Sequence, residues 1–481
     1  MPSHQSLFDD YGVENGFCEV TGRNDDPDVS RLFLKRLAGR NLRTLARRQK
    51  GAEAELYNLG ITFTVYSGDK TIDRILPFDI VPRPITAADF AELEAGVIQR
   101  IKALNLFLHD IYHDQNILKD GVVPADLVTG NKYFLKEMMG VDLPQGTYTH
   151  ICGTDLIRDT DGKFLVLEDN CRSPSGVSYV VENRHLMMRL FPDLMEGAKV
   201  RPVSDYGQRL REKLSETAPD GVGDPRIVLM TPGIYNSAYF EHVFLAREMG
   251  VPLVEGRDMF VDENDQVYMR TVAGPEPVHV IYRRIDDAFL DPEVFREDSQ
   301  LGTPGLMRAL KAGKLTIANA PGTGVADDKA IYAYLPRIVR YYLDEDLKLG
   351  NVHTYICREK DDLAYVLDHL DELVVKPVGE SGGYGIVVGP KASRKELDEV
   401  AEAIKDDPSN YIAQPMINLS VCPTLTSEGL SPRHVDLRPF ALTGKDTWVM
   451  PGGLTRVALR RGSIIVNSSQ GGGSKDTWVL G

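Results

Sequence analysis

The chain has 481 residues, enough for about three structural units. Its 55 Lys+Arg against 70 Asp+Glu leave a formal charge of −15, which argues against a generic nucleic-acid or anionic-membrane binder. No apolar run of about 18 residues and no CxxC pair occurs, which excludes a transmembrane helix, a disulfide scaffold and a zinc finger.

The N-terminus lacks a signal-peptide pattern, and Cys18, Cys152, Cys171, Cys357 and Cys422 read as reduced thiols, so a cytoplasmic location is expected. Residues 30–60 read as helical and carry the basic stretch Arg47-Arg48-Gln49-Lys50. Ile61 to Ser67 alternates as a strand does, and Pro82 and Pro84 read as a break. Beyond them Phe90, Leu93, Val97, Ile101, Leu104, Leu108 and Ile111 recur at steps of three and four. That is the apolar face of a long helix, with Thr86 as its cap. From Tyr148 to Asn170 the period is two, and Asp159-Thr160-Asp161-Gly162 is a turn, so a β-hairpin is expected. From Arg226 a strand, a helix near Asn236 to Met249 and a second strand form a βαβ unit. A further hairpin and a strand ending in Arg283-Arg284 follow. After a helix that starts at Asp328, the last third holds a glycine loop and several antiparallel strands.

Several constellations carry chemistry. Glu168 and Asn170 share a strand face and Asp155 lies on the partner strand, so three hard oxygen ligands converge as Mg²⁺ requires. A solvated polar face is the competing reading. Lys376 ends an apolar strand ahead of Gly379, Gly382, Gly383 and Gly385. Such a loop can close its N–H groups on phosphate while the lysine supplies a point charge; an ordinary hairpin loop is the alternative. Asp327-Asp328 suits a helix start, and Lys329 by itself reads as a surface residue. Tyr411-Ile-Ala-Gln414-Pro415 is an apolar segment stopped by proline, which can expose backbone groups to an adenine edge or simply link two subdomains. Asp436 and Arg438 alternate onto one face, and with Arg456 they offer either a phosphate clamp or a structural Arg–Asp pair. The glycines before Ser474-Lys475 read as a loop able to close over a ligand. Thr231 to Ser237 and Arg283-Arg284 follow strands of the α/β unit, where small molecules bind; surface arginines are the alternative.

The order of these parts is informative. VADDKAIYAYLP, LVVKPVGESGGYG, YIAQP, VDLRPFAL, LTRVAL and NSSQGGG resemble successive parts of an ATP-grasp ligase, while the closing metal-binding part, GTDLIRDTDGKFLVLEDN, precedes them all. The chain thus resembles a circularly permuted ATP-grasp protein over nearly its whole length. Blocks such as RRQKGAEAELYNLGITFTVY, LEDNCRSPSGVSYV, IYRRIDD and SSQGGGSKDTWVL are similar to that permuted family's signatures. The hairpin and the lysine–glycine loop also resemble those of glutathionylspermidine synthetase. The step from Asp155 to Glu168 is one residue longer than in that enzyme, which leaves Asp159 and Asp161 as alternative ligands.

The resemblance implies a mixed α/β and α+β architecture: a permuted ATP-grasp fold with a preATP-grasp-like α/β domain and a mainly helical N-terminal region. The expected divisions are 1–147, mainly helical; 148–225, the permuted metal-binding hairpin segment and a linker; 226–328, the preATP-grasp-like domain; and 329–481, the nucleotide-binding subdomains. It also implies that Lys329 and Lys376 contact ATP phosphates under a loop of Gly382, Gly383 and Gly385. Gln414 would mark the adenine hinge. Asp155, Glu168 and Asn170 would hold one or two Mg²⁺ ions, and Arg438 and Arg456 would face the transferred phosphoryl group. The expected activity is an ADP-forming carboxylate–amine ligase that works through an acyl phosphate on a peptide-like or small carboxylate. Arg456 or the 471–473 backbone would stabilise the second-step oxyanion. The acidic chain requires a locally basic site, for which Arg283, Arg284, Lys329, Lys376, Arg438 and Arg456 are available. No nucleic-acid or membrane partner is expected, and a homo-oligomer stays open. The alternatives are a phosphotransferase and a non-catalytic nucleotide-binding partner in a peptide-tagging system.

Overall fold

The computed structural model describes residues 8, 11–13, 16–21, 37, 39–67, 70–196, 198–378, 385–463, 466 and 472–481. The first described helix, α1 (Leu42–Asn58), starts where Asn41 accepts the Arg43 N–H. Strands β1 (Thr62–Ser67) and β2 (Lys70–Ile75) pair antiparallel, and β3 (Phe78–Ile85) follows. Helix α2 (Ala87–Tyr112) is capped as its sequence requires, with Thr86 accepting the Asp89 N–H at 3.1 Å. All seven apolar residues of its stripe, Phe90 to Ile111, are at most 2% exposed.

Strands β4 (Ile151–Arg158) and β5 (Phe164–Asn170) form the expected hairpin, and helix α3 (Val177–Leu190) follows. Helix α4 (Tyr206–Ser215) packs on α5 (Tyr239–Met249). The latter joins β6 (Ile227–Met230) to β7 (Leu253–Val254) in a parallel βαβ unit. Strands β8 (Met259–Val261), β9 (Val267–Thr271) and β10 (Gly274–Pro277) make a small antiparallel sheet. The parallel sheet gains β11 (Val280–Arg283) and β12 (Thr316–Ala318), in the order β12-β11-β6-β7. Helix α6 (Lys329–Leu343) begins on Asp328, whose carboxylate accepts the Ala330 N–H at 2.8 Å.

Strands β13 (Tyr355–Ile356), β14 (Leu373–Pro377), β15 (Val387–Val388) and β16 (Tyr411–Pro415) form an antiparallel sheet with helices α7 (Lys360–Asp368) and α8 (Arg394–Asp406). The chain ends in β17 (Val421–Thr426), β18 (Gly429–Arg438), β19 (Phe440–Thr443), β20 (Thr447–Val449), β21 (Leu454–Val457) and β22 (Gly473–Val479). These strands join the front hairpin in one nine-stranded sheet, ordered β20-β19-β4-β18-β21-β22-β3, with β5 on β4 and β17 on β18.

Two sequence expectations change. Pro82 and Pro84 do not break the chain; they lie inside β3, the last strand on the path of the main sheet, where a missing N–H is tolerated. Lys475 is not in a closing loop. It lies within β22, is 1% exposed, and its ammonium donates to Val81 O at 3.0 Å and Pro423 O at 2.9 Å beside the Asp79 carboxylate. No helix among the described residues is long and apolar enough to cross a membrane. All five cysteines are free and buried.

Candidate active site

The β4–β5 hairpin is closed by Asp159, whose carboxylate accepts the Asp161 N–H at 3.0 Å and the Lys163 N–H at 2.8 Å. Asp159 is therefore engaged in its own turn, as short Asp side chains commonly are. The strand ladder sets Asp155 opposite Glu168 and Gly153 opposite Asn170, then shifts at Leu156, which faces Val166. Leu167 is thus the extra residue of a bulge. With that bulge the ladder keeps the two carboxylate residues directly opposite each other. Asn170 Nδ2 donates to Gly153 O at 3.0 Å, so the oxygen is the atom this amide can offer a cation. Asp169 points the other way, into a buried pair with Arg100 at 2.5 Å, as period-two alternation requires.

Strands β18 and β21 supply two arginines to the same place. Arg438 forks both oxygens of Asp155, with Nη2–Oδ2 at 2.8 Å. Arg456 reaches Asp155 Oδ2 at 2.7 Å while also gripping Asp436, with Nε–Oδ2 at 2.9 Å. Burial alone would raise the Asp155 carboxyl, but the two guanidiniums outweigh it and hold it well below the usual carboxylate range. Glu168 goes the other way: burial raises it, and the Asp155 charge adds to the rise. Arg438, Lys329 and Arg456 pull it back in part. Two carboxylates facing each other with pKa values pushed apart are a mark of functional sites.

Lys376 lies near the end of β14 and donates to Gln414 Oε1 at 2.6 Å; Gln414 Nε2 donates to Thr354 Oγ1 at 2.9 Å. Gln414 is 3% exposed on β16, the strand paired with β14. Burial lowers the Lys376 ammonium to about 8, against the pull of Glu168 and with the push of Lys329. Glu168, Lys329 and Lys376 thus lie within electrostatic reach of one another, although Glu168 precedes the two lysines by 161 and 208 residues. Gly385 has φ +70° and a Cβ there would stand 2.9 Å from Pro377 Cγ, so the loop end folds back on β14 at a place that requires glycine. Gly379, Gly382 and Gly383 lie outside the described residues, as does Gly471; Gly473 opens β22 opposite Val457.

Buried hydrogen bonds bring these distant segments together. Asp327, just ahead of α6, accepts the Cys171 N–H and pairs with Arg172 at 2.6 Å, which fastens Lys329 beside the end of β5. Asn319 accepts the His150 and Ile151 N–H groups at 2.7 and 2.8 Å and donates to Cys171 O at 2.8 Å. Residues 350–352 run along β5, with Val166 N–H to Gly350 O and Val352 N–H to Val166 O both at 2.9 Å, and lead to Thr354.

Arg283 and Arg284 are not free charges, since each is paired with a buried carboxylate. They are not surface residues either, at 1% and 6% exposed. Arg283 pairs with Asp287 at 2.7 Å and with the carbonyls of residues 285, 319 and 320. Arg284 pairs with Glu241 at 3.1 Å and holds Pro174 O at 2.8 Å. Glu241 in turn accepts the Gly176 N–H at 2.7 Å. Tyr235, in the loop after β6, is 87% exposed. Sequence reasoning missed Glu241 and Asn319, because nothing in their neighbours marks a residue that fastens remote backbone.

A permuted ATP-grasp architecture and a site of facing carboxylates, paired arginines and a desolvated lysine define the class. The circularly permuted ATP-grasp type 2 family model matches residues 82–458, and the chain belongs to that family. An uncharacterized protein from Synechocystis sp. is 56% identical over 437 residues, 91% of each chain. A putative glutamate–cysteine ligase from Frankia casuarinae is 45% identical over 428 residues, 89% of this chain and 49% of that one, so this chain spans about half the length of that relative. A glutathione synthetase-like effector from Globodera pallida superposes with TM-score 0.58 at 11% identity, over 92% of this chain and 98% of that one, a likeness of fold.

Proposed function

We propose that the chain is an ATP-dependent, ADP-forming carboxylate–amine ligase. The observation that carries this is that the Glu168 carboxylate lies within electrostatic reach of Lys329 and Lys376, which belong to segments far apart in the sequence. A substrate carboxylate oxygen attacks the γ-phosphorus, the bond to the bridging oxygen breaks and ADP departs. An amine then attacks the acyl carbon, inorganic phosphate leaves and the amine gives up a proton. Lys329 and Lys376 neutralise phosphate oxygens so that an anionic carboxylate can approach. Arg438 and Arg456 stabilise the transferring group and the oxyanion that follows.

The donor set suits a hard divalent cation. Among the described residues no group of three or more His, Cys, Asp or Glu stands at metal-holding spacing, so the set is two carboxylates and the Asn170 amide oxygen. Mg²⁺ takes few protein ligands and completes its shell with water and phosphate. When bound, it supplies charge neutralisation to the triphosphate.

The reading is tested by screening amino acids, peptides and polyamines for ADP release, with mass spectrometry of the product. The name of the Frankia casuarinae relative, a putative glutamate–cysteine ligase, makes glutamate with cysteine the first pair to try. A new amide in step with ADP is expected. ADP with phosphate on a hydroxyl would convert the reading to a phosphotransferase, and absence of acceptor-dependent ADP would overturn it.

A pH dependence follows from Lys376. Its ammonium is the working form and its pKa is about 8. Therefore kcat/KM for ATP falls as pH rises through about 8, because that ratio reports groups of the free protein. Lys376→Arg moves this alkaline limb upward, since a guanidinium does not titrate there. The profile of ADP release between pH 6 and 10 checks both statements.

A further inference from the structure

Three claimants converge on one carboxylate. Asp155 Oδ1 and Oδ2 are both taken by Arg438, and Oδ2 is shared with Arg456 at 2.7 Å. Yet Asp155 also stands in register with Glu168, one rung from Asn170, and so belongs to the oxygen set proposed for a cation. The three guanidinium bonds and a long one from Asn170 Nδ2 at 3.5 Å together fill the about four lone-pair sites of this carboxylate, so a hard cation cannot bind it fully until a guanidinium turns away. The two arginines differ in how firmly they are held. Arg456 is anchored by several bonds to Asp436, a partner that is 1% exposed. Arg438 has, besides Asp155, a bond to Ser175 O at 3.2 Å. Arg438 is therefore the arm with less to lose by turning away.

We infer that Asp155 is a shared carboxylate for which Arg438 competes with a divalent cation, so that an anion drawing Arg438 aside strengthens the cation site. This rests on the proposed function and adds a coupling between the two halves of the site. Linkage makes the coupling reciprocal: the factor by which an anion tightens the cation is the factor by which the cation tightens the anion. In the ligase the natural anion is a phosphate-bearing ligand. The device then disfavours a metal held without its phosphate partner, and it frees a guanidinium for the transferring group at the moment the metal arrives.

The test uses Mn²⁺ alone on the full chain without nucleotide, read as loss of the free-ion EPR signal. Glu168→Gln is expected to weaken Mn²⁺ binding. Arg438→Lys keeps the positive charge but removes the fork, and is expected to tighten Mn²⁺ by about tenfold. Arg438→Gln is expected to do at least as much. Both gains are expected to vanish in combination with Asp155→Asn. Sulfate added to the wild-type chain, which needs no variant to fold, is expected to tighten Mn²⁺ as well, and to lose that effect in Arg438→Lys. A gain that survives Asp155→Asn, or that appears with Arg438→Gln but not with Arg438→Lys, would reveal a mere field effect and overturn the inference. If Glu168→Gln weakens Mn²⁺ while the Arg438 variants and sulfate change nothing, the coupling alone is wrong. If Glu168→Gln changes nothing, the metal reading of the hairpin fails and the coupling falls with it.

Discussion

Lys376→Ala is expected to lower ATP-dependent turnover by about a thousandfold while leaving the fold intact. An ammonium buried enough to be pushed down to about 8 destabilises the folded chain, and its hydrogen bond to Gln414 does not offset that desolvation. Removing it relieves the penalty and leaves Gln414 Oε1 without a donor, a loss of about 1–3 kcal/mol in the opposite direction. The two effects are comparable, so the melting temperature shifts by no more than about 4 °C. Turnover has no such compensation, since phosphate charge that Lys376 would neutralise then repels the incoming carboxylate. Steady-state ADP release beside a thermal melt decides it. A variant with near wild-type turnover would remove Lys376 from the chemistry, whereas a collapsed melt would make it structural.

Glu19→Gln is expected to act in the converse sense, with a large loss of stability. Glu19 is buried with Arg83 at 2.6 Å and Arg158 at 3.0 Å and also accepts the Ser420 hydroxyl at 2.7 Å. Arg83 continues to the Asp436 carbonyl at 2.8 Å, and Arg158 to Asp89 at 2.9 Å. Replacing the carboxylate by an amide leaves two guanidiniums inside the protein with too little negative charge, a loss of about 3–5 kcal/mol. Denaturant unfolding measures it. The pH dependence has a definite sign. Burial alone would raise Glu19, but Arg83 and Arg158 overcome it and hold the carboxyl below its ordinary 4.5. A group depressed on folding contributes stability above its unfolded pKa and loses it as pH falls through the folded one. The wild-type chain therefore loses this contribution below about pH 4.5, and the variant lacks that slope.

What could be read from the sequence was what short-range periodicity encodes. The hairpin bearing Asp155 and Glu168 declared itself by alternation and a turn of Asp159 to Gly162. The helix over 87–112 declared itself by its stripe, and the βαβ unit by its short apolar strands. The rest was hidden for physical reasons. β3 carries two prolines that would condemn an interior strand, and only its place at the end of the sheet path excuses them. Lys475 follows a run of glycines that suggests a loop, yet its charge is satisfied by Asp79, almost four hundred residues earlier. Arg283 and Arg284 looked like ligand-binding charges because nothing local shows the carboxylates and carbonyls that surround them. Glu19 lies in a segment with no periodicity, so its two arginine partners leave no trace nearby. Charge type is local information; burial of that charge is not.

The parallel pairing of β22 with β3 has a consequence for biosynthesis. Residues 78–85 leave the ribosome long before residues 473–479, the strand they hydrogen-bond, have been translated. The same delay applies to the hairpin at 151–170, whose neighbours in the sheet come from beyond residue 428. A nascent chain must therefore carry apolar strand surface unsatisfied through most of its elongation. Contacts of such long sequence separation form late and expose intermediates to aggregation. Maturation of this protein should accordingly be more sensitive to holdase chaperones and to growth temperature than that of a colinear relative with the same set of strands.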